Sequence, residues 1–289
     1  MIRSMTGFAS RERSHAFGRL TWELRTVNHR FLEFNIRLPE EFRVLEPQVR
    51  ELITAVVDRG KVDATLRFHA SPAHSGGAVE LNAPLAARLL ELHGQLSATA
   101  GVEQAPDLTA LLRWPGLVEE QLADPAPLHA AALELLAEAG QDLLAGRGRE
   151  GEQMAAAIRE RLAGVEHWTA QVRGWLPEIR AALQQRMTER VADLGQSLDE
   201  ERLSQEVAVL AQKMDVAEEL DRLDAHVIEA YRTLELDKPV GRRLDFLMQE
   251  FNRESNTLSS KSVDQRTTQA AVELKVLIEQ MREQVQNVE

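Results

Sequence analysis

The sequence contains no cysteine and no long apolar segment. Without cysteine, a disulfide framework, a zinc–thiolate cluster and a cysteine nucleophile are all excluded, so any chemistry must come from carboxylates, histidine and hydroxyl groups. No stretch approaches the roughly 20 apolar residues that a membrane-spanning helix needs, and residues 1–8 lack the apolar run of a signal peptide. We therefore expect a cytoplasmic protein with no membrane contact.

Aromatic residues make up only 4% of the chain, and familiar catalytic motifs such as the Gly-x-Ser-x-Gly turn and the His-Glu-x-x-His helix are missing. If the protein binds RNA, the nucleotide bases would find few aromatic side chains on which to stack. Any contact with RNA should depend mainly on the sugar-phosphate backbone and on shape.

The length of 289 residues and the 44% of hydrophobic residues suit two ordinary domains. The formal net charge of −12 argues against a nucleic-acid partner, because phosphates favour clustered Lys and Arg. The charge is segregated, however, since residues 1–70 carry 12 basic and 9 acidic side chains. A basic N-terminal part could guide RNA while the acidic remainder supplies metal ligands, but a solvated acidic surface explains the charge equally well.

The N-terminal part has the pattern of a small sheet. Alternating apolar and polar side chains predict strands at residues 3–9, 18–27, 31–38 and 61–69. Between the second and third strands, Asn28 and His29 predict the tight turn of a hairpin. Residues 41–58 have helical spacing, and Pro47 should delay the true start of that helix to about Glu46. This order of elements predicts a sheet covered on one side by a helix.

Residues 70–78, rich in serine, proline and glycine, form the clearest linker. Helices are predicted beyond it at residues 85–96, 107–112, 126–145, 149–195, 200–236 and 269–288. The apolar stripe of 149–195 is long enough for a coiled-coil arm, with a restart or a kink at Pro177. The predicted fold class is α+β, with a sheet-plus-helix domain, a linker with a helical segment, and an extended helical region with coiled-coil-like helices, at 1–70, 71–148 and 149–289.

The densest polar cluster lies between Asp215 and His226. At 3.6 residues per turn, one side of the helix carries Asp215, Glu219, Arg222 and His226, and a neighbouring side carries Glu218, Asp221 and Asp224. Carboxylates with one imidazole suit Mg²⁺ or Mn²⁺, which prefer oxygen ligands. An exposed acidic helix with an intrahelical ion pair from Arg222 is the simpler interpretation of the same residues.

A second polar cluster spans residues 241–262. Glu250 and Glu254 are four residues apart and so share one face of a helix. Phosphates could be bound by the basic side chains Arg242, Arg243, Arg253 and Lys261, and ribose or bases by Asn252, Ser255, Asn256 and Ser259. A capped helix end before a loop also explains the polar residues after Asn256, but it leaves the adjacent pair of arginines unexplained.

Several segments of the chain, in the same order, resemble the motifs of the YicC/YloC family. The N-terminal ones are Met1-Ile-Arg-Ser-Met-Thr-Gly-Phe8, Glu23-Leu-Arg-Thr-Val-Asn-His-Arg-Phe31, Ile36-Arg-Leu-Pro39 and Arg59-Gly-Lys-Val62. The later ones are Arg113-Trp-Pro-Gly116, Asp215 to His226 and Gly241 to Ser262. The resemblance implies a metal-dependent endoribonuclease that acts on single-stranded or structured RNA, forms a hexamer and needs its helical C-terminal part for activity. It implies Mg²⁺ or Mn²⁺ as cofactor, and RNA, further copies of the chain and other enzymes of RNA decay as partners.

In the light of this resemblance the two polar clusters become the favoured site, with roles assigned by the chemistry of the side chains. The predicted catalytic residues are His226, Glu219, Glu250 and Glu254. The predicted metal ligands are Glu218, Glu219, Asp221, His226, Glu250 and Glu254. The predicted RNA-binding residues are Arg25, Asn28, His29, Arg30, Arg37, Lys61, Arg222, Arg242, Arg243 and Arg253.

Three hypotheses about function remain open from the sequence. A metal-activated water would cut RNA and leave a 5′-phosphate. Alternatively, His226 or His29 would act as a general base on the ribose 2′-hydroxyl and leave a cyclic phosphate without metal. The third hypothesis is an RNA-binding adaptor or assembly protein that delivers RNA to another nuclease, and it is favoured by the long apolar stripes and by the lack of an established catalytic motif.

Overall fold

The computed structural model of the protein describes residues 2–71, 79–102, 105–120, 124–193 and 215–289. It confirms the α+β class, with a four-stranded sheet near the N-terminus followed by long helices. In these described ranges, no helix combines the length and the apolar character that a membrane crossing requires. The predicted domain limits stay a prediction.

The sheet contains four strands in the order β1-β2-β4-β3. Their bounds are Gly7–His15 for β1, Gly18–Val27 for β2, Glu33–Arg37 for β3 and Lys61–Ala70 for β4. The first strand therefore begins later than predicted and continues for six residues beyond Ala9. The hairpin of the sheet joins β1 to β2, with Gly18 in the left-handed region at φ 141°.

The predicted hairpin at Asn28 and His29 is wrong. Strand β2 already has β1 on one edge and β4 on the other, so no edge of β2 is free for β3. Strand β3 instead pairs in parallel with the far edge of β4. A parallel pair cannot be joined by a tight turn, and here the connection contains helical segments, which lie between β3 and β4 in the chain.

The connection from β3 to β4 contains two helical pieces where a single helix over 41–58 was predicted. A 3₁₀ helix spans Glu40–Leu45, and helix α1 spans Glu46–Thr54. Proline at the second position of α1 explains the division, since its ring fits the first turn of an α-helix but not its interior. The predicted delay of the helix start to Glu46 is confirmed.

One face of the sheet is covered by helices and the other is open. Leu20, Trp22 and Leu24 of β2 are almost completely buried, and the Trp22 indole donates a hydrogen bond of 2.8 Å to the carbonyl of Ala132. Side chains of α1 and of the first part of the long helix α4 complete this core. On the opposite face Phe8 remains 65% exposed.

The middle of the chain contains a small two-stranded sheet and two helices. Strands β5 and β6 span Val79–Leu81 and Val118–Glu120, and helices α2 and α3 span Ala83–Ala100 and Leu108–Leu112. The two helices predicted in this segment are confirmed. The Asn82 side chain caps α2 by accepting a hydrogen bond from the Leu85 amide. Of the predicted linker at 70–78, residues 72–78 lie outside the described residues.

Helix α4 runs without interruption over Ala126–Asp193, where two helices were predicted. It continues through Gly146, Gly148 and Pro177, so the expected break after residue 145 is absent and Pro177 does not restart the helix. The predicted end at Gly195 lies outside the described residues. The apolar stripe that favoured a coiled-coil arm is buried from Met154 to Val172 against other helices of the same chain.

Three further helices complete the C-terminal core. Helix α5 spans Ala217–Leu234, α6 spans Gly241–Lys261 and α7 spans Gln265–Val285. Helix α4 packs against α5 and α7, and α6 packs against α5 and α7. Of the helix predicted at 200–236, residues 200–214 lie outside the described residues. The final helix begins four residues earlier than the predicted residue 269.

A buried arginine ties the two ends of the chain to α4. The side chain of Arg147 is 1% exposed and donates to the carbonyl of Ser4 at 2.6 Å, to the carbonyl of Val56 at 3.4 Å and to the carboxylate of Glu289. Ser4 also forms a β-bridge with Val288. Residues at the start of the chain therefore pair with its last residues, which explains why the predicted first strand begins only at Gly7.

Helix α7 begins at an Asp264 cap, and this cap makes the stability of the fold depend on pH. Asp264 accepts a hydrogen bond of 2.8 Å from the Arg266 amide, and the Arg266 side chain lowers the pKa of the Asp264 carboxyl below its ordinary value. We expect Asp264→Ala to lower the free energy of unfolding by about 1 kcal/mol, because the helix loses its cap. Urea denaturation at pH 7 measures this loss.

The matched variant Asp264→Asn keeps a capping side chain but loses the charge. Because the folded-state pKa of Asp264 is depressed, its charge stabilises the fold above the unfolded-state pKa of about 3.9, and this stabilisation is lost as the pH falls through the folded-state pKa. The difference in unfolding free energy between wild type and Asp264→Asn should therefore shrink from pH 6 to pH 2. A difference that stays constant over this range would contradict the assigned role of the charge.

Candidate functional site

The candidate site lies where α5 and α6 pack side by side in opposite directions. Both helices are amphipathic: Leu220, Leu223 and Val227 of α5 and Leu244, Met248 and Phe251 of α6 are buried in the core. Three ion pairs follow the same interface and form a ladder. They join Glu219 to Lys261, Arg222 to Glu254 and Glu229 to Arg243. The helix register therefore brings the two predicted polar clusters together.

Three predicted site residues converge in the middle of this ladder. One ligand atom from each of His226, Glu250 and Glu254 lies within 4.8 Å of the other two. Glu250 and Glu254 are one helical turn apart on α6, and His226 faces them from α5. The ring of His226 also stands edge-on to Phe251, with the ring centroids 5.7 Å apart. We call these three residues the His-Glu-Glu group.

The His-Glu-Glu group has the chemistry of a divalent-cation site. Nε2 of His226 and Oε2 of Glu254 are buried and have no hydrogen-bond partner among the described residues, although Nε of Arg222 lies 2.8 Å from Oε2 of Glu254. Buried polar atoms without partners are uncommon in folded proteins and call for an explanation such as a bound ion. Two carboxylates and one imidazole match the ligands of Mn²⁺. Mg²⁺ prefers oxygen ligands, so the two carboxylates would be its main ligands here. The residues present therefore fit a metal ion.

Glu219 lies beside this group and is contacted by a lysine of the neighbouring helix. Its side chain is 3% exposed, and its Oε1 accepts a hydrogen bond of 2.8 Å from the ammonium group of Lys261. Lys261 also donates to the carbonyl of Asp215 at 2.8 Å. The sequence suggested Lys261 as a phosphate ligand, whereas in the structure it compensates a buried carboxylate. Glu219, a predicted metal ligand, contacts Lys261 and Arg222 through Oε1, and its Oε2 is buried without a hydrogen-bond partner among the described residues.

Arg222 contacts three carboxylates at once. It donates to Glu218, lies 3.3 Å from Oε1 of Glu219 through Nη2, and places Nε 2.8 Å from Oε2 of Glu254. The contact with Glu254 is the main cause that raises the pKa of Arg222 above its ordinary value, and the charges of Glu218 and Glu219 add to it. Arg222 is therefore bonded to protein carboxylates and not turned freely to solvent.

The structure places two other predicted metal ligands away from the group. Glu218 is 79% exposed and bonded to Arg222. Asp221 is 69% exposed and accepts a hydrogen bond of 2.9 Å from Arg173 of α4, which also donates to Asp224 at 2.7 Å. These contacts raise the pKa of Arg173, with Asp221 as the first cause. Arg173 was not among the predicted site residues, because nothing near it in the sequence indicates a partner 48 residues away.

The predicted phosphate-binding arginines of α6 occupy different positions. Arg253 is 75% exposed and lies 4.0 Å from Glu250, so it stands next to the His-Glu-Glu group. Arg243 is bonded to Glu229, near the start of α6. Arg242 lines a cavity with Asp58 and other residues near the chain ends, and it is not part of the group.

The predicted RNA-binding residues of the N-terminal part also fall into two places. Arg25 and Arg37 line a shallow groove on the open face of the sheet, and Lys61 is exposed at the start of β4. In the loop before β3, the Asn28 side chain donates to the carbonyl of Gln286, His29 contacts the backbone of Phe31, and Arg30 lies over the Phe31 ring at 5.2 Å. His29 is not part of the His-Glu-Glu group.

Comparison with known proteins gives consistent results over the whole chain. Residues 2–156 match the family model described as "Endoribonuclease YicC-like, N-terminal region", and residues 172–289 match the one described as "Endoribonuclease YicC-like, C-terminal". The chain is 44% identical to a protein of Haemophilus influenzae and 31% identical to one of Clostridioides difficile. Each relative is named "Probable endoribonuclease YicC", and each alignment covers 100% of both chains.

The ion pair between the buried Glu219 and the partly exposed Lys261 should stabilise the packing of α5 on α6. We expect Lys261→Met to lower the free energy of unfolding by roughly 1–3 kcal/mol, because a buried carboxylate loses one of its two cations. Chemical denaturation measures the change, with the exposed Lys238→Met as the matched control that should have little effect.

The double variant Glu219→Gln/Lys261→Met tests the same pair by a double-mutant cycle. Removing the carboxylate should make the loss of Lys261 less costly, so the two single effects should add up to more than the effect of the double variant. Strictly additive effects would show that the two side chains do not interact.

Proposed function

This chain belongs to the YicC-like endoribonuclease family, and we propose that it cuts RNA internally with a divalent cation held by His226, Glu250 and Glu254. The convergence of these three side chains between two neighbouring helices carries the proposal. The match to the C-terminal family model includes all three residues, and the names of both relatives support an endoribonuclease.

The residues of the group have separable roles in this proposal. Glu250 and Glu254 supply oxygen ligands and negative charge, and His226 supplies a nitrogen ligand through a ring atom that has no other described partner. A bound Mg²⁺ or Mn²⁺ polarises a phosphodiester and lowers the pKa of a bound water. Glu219 is better explained as a buried structural carboxylate, since Lys261 and Arg222 both contact it.

Arginine side chains next to the group would position the RNA backbone. Arg253 is 75% exposed and lies 4.0 Å from Glu250. Its guanidinium can form a bidentate pair with a phosphate. The basic residues Arg25, Arg37 and Lys61 on the N-terminal sheet would attract RNA at longer range. Assembly into a hexamer and contact with other enzymes of RNA decay are further parts of the proposal, and they rest on the family alone.

An alternative route through the same residues leaves different products. If His226 removed the proton of a ribose 2′-hydroxyl, cleavage would resist EDTA and leave a cyclic phosphate. Metal-assisted hydrolysis would instead stop in EDTA and leave a 5′-phosphate, as we propose. Analysis of the product ends with and without EDTA separates the two routes.

Removal of a ligand from the group should abolish cleavage without unfolding the protein. We expect Glu250→Gln and His226→Ala to cut a purified single-stranded RNA at least about 100-fold more slowly than the parent in the presence of Mn²⁺. The matched control is Asp245→Asn, which removes a carboxylate from the same helix at a position bonded to Gln249. This control should cut at the parental rate.

The outcomes of this experiment separate the proposal from its competitor. If the Glu250→Gln protein, with an unchanged helical circular-dichroism spectrum, cut RNA as fast as the parent, the assigned site would be wrong. If the parent itself bound RNA but cut none with Mn²⁺ or Mg²⁺, the chain would be an adaptor that delivers RNA to another nuclease.

A further inference from the structure

Among the described residues, Arg222 is the only cation in contact with Oε2 of Glu254, the buried carboxylate oxygen of the His-Glu-Glu group. Its Nε lies 2.8 Å from Oε2 of Glu254, the atom that has no hydrogen-bond partner among the described residues. Nε of Arg222 also has no hydrogen-bond partner among the described residues. The two atoms are therefore close enough for strong charge attraction but poorly aligned for a hydrogen bond.

The local balance of charge shows why a cation must stay near Glu254. Near the group, four glutamates outnumber the bonded cations Arg222 and Lys261; they are Glu218, Glu219, Glu250 and Glu254. Glu254 is 4% exposed, and a buried carboxylate without a counter-charge is costly. Arg253 contributes little, since it is 75% exposed and 4.0 Å from Glu250.

We propose that Arg222 is an internal counter-ion that competes with the divalent cation for Glu254, and that metal binding releases it toward the RNA. This inference rests on the proposed function, because it requires the His-Glu-Glu group to bind a metal. The competition weakens the affinity of the group for metal, and it couples metal binding to the appearance of a free guanidinium beside the site.

Arg222 has a second carboxylate partner, Glu218, at the protein surface. Its side chain is 38% exposed, and Glu218, one helical turn earlier on α5, is 79% exposed and already bonded to it. An arginine that leaves Glu254 therefore keeps a partner at the surface, so the exchange does not strand a buried charge. There its guanidinium fork can reach a phosphate of bound RNA, which is the usual partner of arginine in such sites.

The test measures metal binding directly and needs no cleavage. We expect Arg222→Gln to bind Mn²⁺ at least roughly fivefold more tightly than the parent by electron paramagnetic resonance titration, since a competing charge is removed. Arg222→Lys, which keeps the charge without the planar fork, should bind Mn²⁺ with an affinity closer to that of the parent. The matched control is Arg232→Gln on the same helix, where an exposed arginine is lost far from Glu254.

Folding and cleavage measurements complete the test. The circular-dichroism spectrum and denaturation midpoint of each variant show whether α5 still packs on α6, and Arg222→Met, which also removes the charge, replaces Arg222→Gln if the latter unfolds. A folded Arg222→Gln protein should bind Mn²⁺ more tightly and yet cut RNA more slowly, because the released arginine no longer meets the phosphate. Tighter binding in both Arg222→Gln and Arg232→Gln would show a general effect of net charge and would overturn the inference.

Two different failures are distinguishable. If the parent binds no Mn²⁺, or if His226→Ala binds it as well as the parent does, the proposed metal site is wrong. If the parent binds Mn²⁺ through the group but Arg222→Gln binds it with equal or lower affinity, the metal site stands and the competition by Arg222 is wrong.

Discussion

The burial of two carboxylates between α5 and α6 is the constraint on which the candidate site depends. Glu219 and Glu254 are each at most 4% exposed, and such charges are tolerated only when cations or hydrogen bonds compensate them. Lys261 and Arg222 supply that compensation from opposite helices. Both pairs join α5 to α6 in one register, and the same register brings His226 close to Glu250.

A second buried cation determines how the C-terminal helices are connected to the sheet. Arg147 lies on α4 between the two hydrophobic cores and donates to Ser4 near the start of the chain, to Val56 just beyond α1 and to the last residue, Glu289. Helix α4 belongs to both cores, with Leu128 to Leu143 packed under the sheet and Met154 to Val172 packed against α5 and α7. A single continuous helix therefore joins the part that carries the sheet to the part that carries the acidic group.

Sequence periodicity predicted the elements better than it predicted their neighbours. The alternation of Leu20, Trp22 and Leu24 identified the buried face of β2, and the helical spacing identified α2, α3 and the final helix. The same patterns could not show that β3 pairs with β4, because the choice of edge depends on which strands already flank β2. Nor could they show that α4 is continuous, since its glycines and Pro177 are tolerated when packing on both cores stabilises the helix.

The candidate site shows the same limit at the level of single residues. Spacing placed Glu250 and Glu254 on one face of α6, and the structure keeps them together. Glu219 and Asp221, on neighbouring sides of α5, were both predicted metal ligands, although Asp221 is bonded to Arg173 of α4 and Glu219 to Lys261 of α6. A helical wheel shows which residues share a face but not which neighbouring helix that face meets. Only the packing of α5 between α4 and α6 distinguishes them.

The negative charge of the protein opposes the approach of RNA to the candidate site. RNA phosphates are repelled by the carboxylates of α5 and α6, and the net charge of −12 strengthens the repulsion. A substrate of this kind reaches such a site only where positive charge is concentrated locally. Arg253 at the surface of α6 provides fixed positive charge, as do Arg25 and Arg37 of the sheet groove, which Glu23 and Asp63 also line, while Arg222 is bonded to carboxylates. An acidic chain can therefore act on an anionic polymer if cations, whether side chains or metal, line the short path that the backbone follows.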